Sequence, residues 1–182
     1  LQKFICLIAF NLFISCKPDE VKSYDSFIVD KNLHQNDTLK ILSKLPELRL
    51  YKKELIENKT RSAYILQTSG ALGISAKFEN YKCSAICKND TLNIILNNSN
   101  GYFGNGILIK VFDGKYFIRD YDPKTLRDEE KFLPSKTVDQ KLILNKSEFT
   151  ENDSLYGSIY YRTLIENHIE KTMRGYFRTT IQ

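Results

Sequence analysis

The segment GILIKVFDGKYFIRDY, residues 106–121, restricts the fold more than any other part of the chain. Asp113-Gly114 sits between two runs of alternating residues. A two-residue hairpin turn demands positive φ, which Gly adopts without steric cost. The turn fixes the pairing, with Val111 opposite Tyr116 and Ile109 opposite Ile118. One face of the hairpin then holds Ile107, Ile109, Val111, Tyr116 and Ile118, and belongs to a core. The other holds Lys110, Phe112, Lys115, Phe117, Arg119 and Tyr121.

Similar signals recur from Ala63 onward. AYILQ, ISAKFEN, CSAICK, TLNIIL, KLILN, SLYGSIYYR and MRGYFRTTI are rich in Ile, Tyr, Phe and Thr, with turn residues between them. Many short strands with frequent turns predict a mainly β fold. An antiparallel β-sandwich is expected, with a β-barrel as the alternative. A short, broken N-terminal helix precedes the strands. Asp37 or Thr38 can cap it, and Leu39, Leu42 and Leu45 repeat at three. Pro46 can open a second helical segment with Leu48, Tyr51 and Leu55 on one face. The helix is expected to cover an edge or an end of the sheets. Asp122 to Ser135, charged and bounded by prolines, reads as an exposed loop.

At the N-terminal side, Lys3, the apolar run Phe4 to Phe13 and the small Ser15 have the layout of a secretory signal. The run is shorter than the roughly 20 apolar residues that span a bilayer as a helix. Residues 1–15 therefore read as a signal peptide, residues 16–37 as a polar tether, and residues 38–182 as one β-rich domain.

Phe13-Ile14-Ser15-Cys16 resembles the lipobox of bacterial lipoproteins, with Phe13 where Leu is usual. The resemblance implies that Cys16 becomes the first mature residue and carries acyl chains, a stable anchor when there is more than one. Lys17-Pro18-Asp19-Glu20 resembles the surface-export signal of Bacteroidota lipoproteins. Three near-identical words, Asn36-Asp37-Thr38-Leu39, Asn89-Asp90-Thr91-Leu92 and Asn152-Asp153-Ser154-Leu155, are similar to the O-glycosylation acceptors of exported proteins in that group. The resemblance implies glycans at Thr38, Thr91 and Ser154. Turn chemistry alone also accounts for the words, since Asn and Asp bond to the backbone at turns. Together these features resemble a small β-rich lipoprotein of the Bacteroidota envelope. They imply an outer-membrane address, on its periplasmic or cell-surface side, with the membrane as one partner.

Catalytic signatures are missing from the sequence: there is no G-x-S-x-G, Walker loop, H-E-x-x-H or dinucleotide glycine pattern. The formal charge of +5 is spread along the chain without a concentrated basic patch, so nucleic acid is not an expected partner. Cys83 and Cys87, four apart, would sit about 13 Å apart along a strand. Disulfide bonding needs Cα atoms within about 7 Å, so two separate core thiols are expected, and neither a metal nor a cofactor. Asp120 with Asp122 is the best carboxylate pair, read as a solvated turn before Pro123. His168, among Glu166, Asn167 and Glu170, reads as part of an exposed hairpin loop.

The most suggestive surface is aromatic and basic. If residues 155–162 and 173–181 pair antiparallel, Tyr161 falls near Met173 and Ile159 near Gly175. The opposite face then aligns Tyr156, Tyr160 and Arg162 with Arg174, Tyr176 and Arg178. Structural cross-strand pairing accounts for such a ladder, and it can also form a binding face. The expected role is a non-catalytic binding or scaffolding protein, its partner an envelope protein or a glycan. An apolar-ligand carrier with a barrel cavity is the alternative, and a hydrolase with an unrecognised site ranks below it.

Overall fold

The structure is a computed structural model that describes residues 24–49, 55–71, 74–98, 105–122, 131–166 and 168–182. In chain order its first strands are β1 (Asp25–Ser26), β2 (Ile28–Val29), β3 (Pro46–Leu48), β4 (Leu55–Thr60) and β5 (Ala63–Ala71). Next come β6 (Ile74–Phe78), β7 (Lys82–Lys88), β8 (Thr91–Asn97), β9 (Gly106–Phe112) and β10 (Lys115–Asp122). The last are β11 (Lys131–Phe132), β12 (Ser135–Leu144), β13 (Ser154–Ile165) and β14 (Ile169–Thr180). A 3-10 turn (Leu33–Gln35) leads into one short helix, α1 (Asp37–Leu42).

Two six-stranded sheets form the body. The first runs β1-β10-β9-β8-β7, with β11 also on β10, and the second runs β2-β12-β13-β14-β5-β6. Neither closes into a barrel, so the fold is the sandwich. All pairings between these strands are antiparallel except β2 with β12. The β9–β10 turn has φ of 46° at Asp113 and 70° at Gly114, and its register sets Val111 against Tyr116 and Ile109 against Ile118. All five expected core residues of that hairpin are buried.

The core lies between the sheets. Ile94, Leu96, Ile107, Ile109 and Tyr116 from the first sheet meet Leu142, Leu155, Ile159, Met173 and Phe177 from the second. Each such side chain contributes about 1.5–3 kcal/mol when fully buried. Gln182, beyond β14, donates its N–H to the carbonyl of Ala85 and accepts from the N–H of Cys87, so β7 is not left bare along those residues.

The expected second helical segment is instead the β3–β4 hairpin. Glu47 is buried and accepts from the N–H and hydroxyl of Ser62 at 3.0 and 2.8 Å. Leu55 is 60% exposed, so the face expected to hold Leu48, Tyr51 and Leu55 is not buried there; Tyr51 lies outside the described residues. α1 also lies elsewhere than at an edge or end. Leu33, Leu39 and Leu42 pack on Ile143, Tyr156 and Tyr176, on the outer face of the second sheet. From Tyr24 the segment assigned to the tether lies on the domain: Asp25 pairs with Tyr116, and Ile28 with Ile143. Tyr24 also meets Phe112 edge to face and Phe117 at a tilt, with ring centroids 5.2 and 5.4 Å away. Most of the Asp122–Ser135 loop, the signal segment and Cys16 fall outside the described residues.

Candidate functional site

Alternation along β10 turns Asp120 inward together with Tyr116 and Ile118, and alternation along β14 turns Lys171 inward with Met173 and Phe177. The two charges meet between the sheets. Lys171 Nζ lies 2.7 Å from Asp120 Oδ1, and the side chains are 1% and 0% exposed. The Tyr161 hydroxyl donates to Asp120 Oδ2 at 2.7 Å. Nearby, the Tyr81 hydroxyl donates to Gln67 Oε1, and Gln67 Nε2 donates to Ser69 Oγ at 2.8 Å.

Burial pulls the Lys171 ammonium below its ordinary range, while the Asp120 charge acts in the opposite direction. Burial first, and then the Asp120 charge, push the Tyr81 and Tyr161 phenols up, so both stay protonated donors. Asp120 is therefore not part of a solvated turn. β10 continues to Asp122, which is half-buried at the strand end, and Asp120 still faces the core. With both partners sealed from water, the pair is out of reach of any external substrate.

The outer face of the second sheet carries the aromatic and basic residues in the expected register. Tyr156 stands beside Arg178, Tyr160 beside Arg174, and Ser158 beside Tyr176. Tyr161 is paired with Met173, and Ile159 with Gly175. β5 adds Tyr64 next to Tyr176 and Leu66 next to Arg174. α1 and the 3-10 turn divide this face. Tyr156 and Tyr176 pack under their leucines, and the His34 ring centroid lies 6.3 Å from that of Tyr156. Arg178 Nη1 donates to Thr60 Oγ1 at 2.7 Å and to the Arg61 carbonyl at 3.4 Å. Arg162 lies 3.9 Å from Glu170.

Two hollows stay open beside the ladder: one of about 450 Å³ where Tyr156 and Arg178 meet Glu47 and Lys59, and a shallow groove of about 330 Å³ lined by Tyr64, Leu66, Ser158, Arg174 and Tyr176. Tyr160 adjoins the groove through Arg174. Sequence reasoning missed Tyr64 and Leu66 as members of this face. Alternation with the buried Ala63, Ile65 and Gln67 marks them as outward, but only the β5–β14 pairing brings them to the ladder.

The remaining candidates are dispersed. Thr38 is half-buried in the first turn of α1, capped by Asn36 Oδ1, which accepts from its N–H at 2.9 Å. Thr91 opens β8 after a turn with φ of 50° at Asn89 and 57° at Asp90. Ser154 opens β13 and is exposed. Each of the three Asn-Asp words thus starts an element. Cys83 and Cys87 are unbonded thiols, the first buried and the second half-buried, and burial pushes the Cys83 thiol up into its unreactive form. His168 is exposed, with Nδ1 2.8 Å from the Glu166 carbonyl. Among the described residues no three His, Cys, Asp or Glu side chains gather as a metal-ligand set.

Fold and site together define a two-sheet β sandwich with a sealed charge pair and an open aromatic–basic groove on the outer face of the second sheet. Comparison with protein-family models, with curated proteins and with solved structures found no match to the chain.

Proposed function

We propose that the protein is a lipid-anchored, non-catalytic binding protein of the outer membrane, held there through acylated Cys16. Its docking face is the groove of Tyr64, Leu66, Arg174 and Tyr176 with Tyr160 beside it, and its partner is an anionic envelope protein or glycan. The observation that carries this reading is the open groove on a sandwich whose interior is filled. Tyr81, Tyr116, Tyr161 and Phe177 occupy the space between the sheets where a carrier would need a chamber. Aromatic faces and an Arg fork offer stacking and bidentate hydrogen bonding to a planar anionic group. Lys141, beside Tyr160 on β12, adds positive charge to the rim.

The test uses the lipidated chain recovered from its own envelope. Tyr160→Ala with Arg174→Glu should release the co-purifying partner while leaving the melting temperature within a degree or two. Retention of the same partner by this variant would defeat the reading. Intact mass of the membrane-extracted protein should show acyl chains on a polypeptide beginning at Cys16.

A further inference from the structure

The Asp120–Lys171 contact has the ingredients of a covalent reaction. A primary amine and a carboxyl group face each other at 2.7 Å, both fully buried, with a phenol donating to the second carboxyl oxygen. Between the sheets of a folded protein neither group can swing away. Once Nζ turns from Oδ1 toward Cγ, holding the two reactants together is worth effective concentrations of up to about 10⁵–10⁸ M. Water, which would drive the reverse reaction, is kept out.

We infer that Lys171 and Asp120 condense spontaneously into an intramolecular amide that ties β14 to β10 across the two sheets. The low-dielectric surroundings favour the neutral pair over the ion pair. The step begins when one proton passes from the ammonium to Asp120 Oδ1 along their hydrogen bond. The neutral Nζ attacks Asp120 Cγ, and the Tyr161 hydroxyl stabilises the charge that develops on Oδ2. The new N–Cγ bond forms and the Cγ–Oδ1 bond breaks. Oδ1 departs with the transferred proton and a second one from nitrogen, as one water molecule. The amide keeps one N–H and the Oδ2 carbonyl. No oxidation state changes and no co-reactant is needed.

The product leaves no buried charge: the amide carbonyl accepts from the Tyr161 hydroxyl. An exported chain gains a crosslink closing a loop between residues 51 apart, without using a cysteine. Cys83 and Cys87 are unbonded, so the cysteines of the described residues supply no such tie.

Mass spectrometry of the purified full chain tests this directly. The folded protein should be lighter than its unlinked sequence by one water molecule. A tryptic digest should contain residues 120–124 joined to residues 163–174, with cleavage after Lys171 blocked. Asp113-Gly114 could lose water as a cyclic imide, so the digest decides where the loss occurs. The Lys171→Arg and Asp120→Ala chains should lack the joined peptide, whether or not they fold. Tyr161→Phe, which keeps the ring, should slow its appearance after refolding by about 10²-fold. Separate peptides from folded wild-type protein after prolonged incubation would overturn the inference. A water loss confined to Asp113 would overturn it too. Joining at an unchanged rate in Tyr161→Phe would remove Tyr161 from the reaction.

Discussion

Gly157 on β13 lies opposite Phe177 on β14, and the Phe177 ring fills the space that a Cβ at Gly157 would occupy. Phe177 is fully buried. The ring cannot shift without opening the core around Met173 and Leu155. Gly157→Ala should therefore destabilise by about 1–3 kcal/mol, the usual cost of overpacking. Gly175 is the harsher site. Its φ is +151°, and an added Cβ would run into the Tyr64 backbone rather than into a movable side chain. Urea denaturation should rank Gly175→Ala below Gly157→Ala, and both below wild type.

The hairpin turn offers a milder change. Gly114 has φ of +70° with open space around its Cβ position, so Gly114→Ala suffers only from the backbone conformation. A loss of about 1 kcal/mol is expected. The denaturant midpoint should fall while the slope stays unchanged.

Removing one member of the buried pair is a larger insult. Measured against wild-type chain that has not yet condensed, Lys171→Met leaves Asp120 buried without its partner and should cost about 3–5 kcal/mol. Adding Asp120→Leu should recover most of that, because two apolar groups need no partner. Equilibrium unfolding of the two single variants and the double variant gives the coupling energy. A double variant no more stable than Lys171→Met would contradict this reading of the site.

Docking of α1 sets a third scale. Leu39 is 1% exposed beneath the helix, against Tyr156 and Tyr176. Leu39→Ala should cost about 2–5 kcal/mol if the helix unfolds with the body. If only the helix detaches, hydrogen exchange at residues 37–42 should accelerate while β13 stays protected.

Acid behaviour should depend on Asp153. Its hydrogen bond to Lys146 Nζ, at 2.8 Å, holds the carboxyl below the usual range. The folded state then binds this proton less readily than the unfolded chain does. The stabilisation is full above about pH 4 and disappears as pH falls through the lowered value. Asp153→Asn should flatten that part of the stability–pH profile.

Some of this fold is legible in the residues themselves. The Asp113-Gly114 turn set the β9–β10 register because a two-residue loop leaves no freedom in pairing. The β13–β14 register followed from keeping Ile159, Tyr161, Met173 and Phe177 on one side. β3 and β4 were hidden because β3 is held by contacts distant in the chain, such as Glu47 to Ser62, 15 residues apart, while the local apolar spacing looked helical. The Asp120–Lys171 pair left a readable trace, a charge on the inward face of each of two strands. Proximity to Pro123 made Asp120 look like a turn residue. The groove was less legible, because β5 and β14 become neighbours only in the folded sheet.

The placement of β14 bears on how the molecule comes to be folded. It comes long after β5 in the chain, yet it sits in the interior of their sheet, between β13 and β5. β5 therefore waits unpaired on that side through the synthesis of nearly all the strands that follow it. A chain threaded amino end first through a narrow channel would stay pliable for most of its passage. This sheet would acquire its rigid form late, on the far side, when β14 slides between β13 and β5.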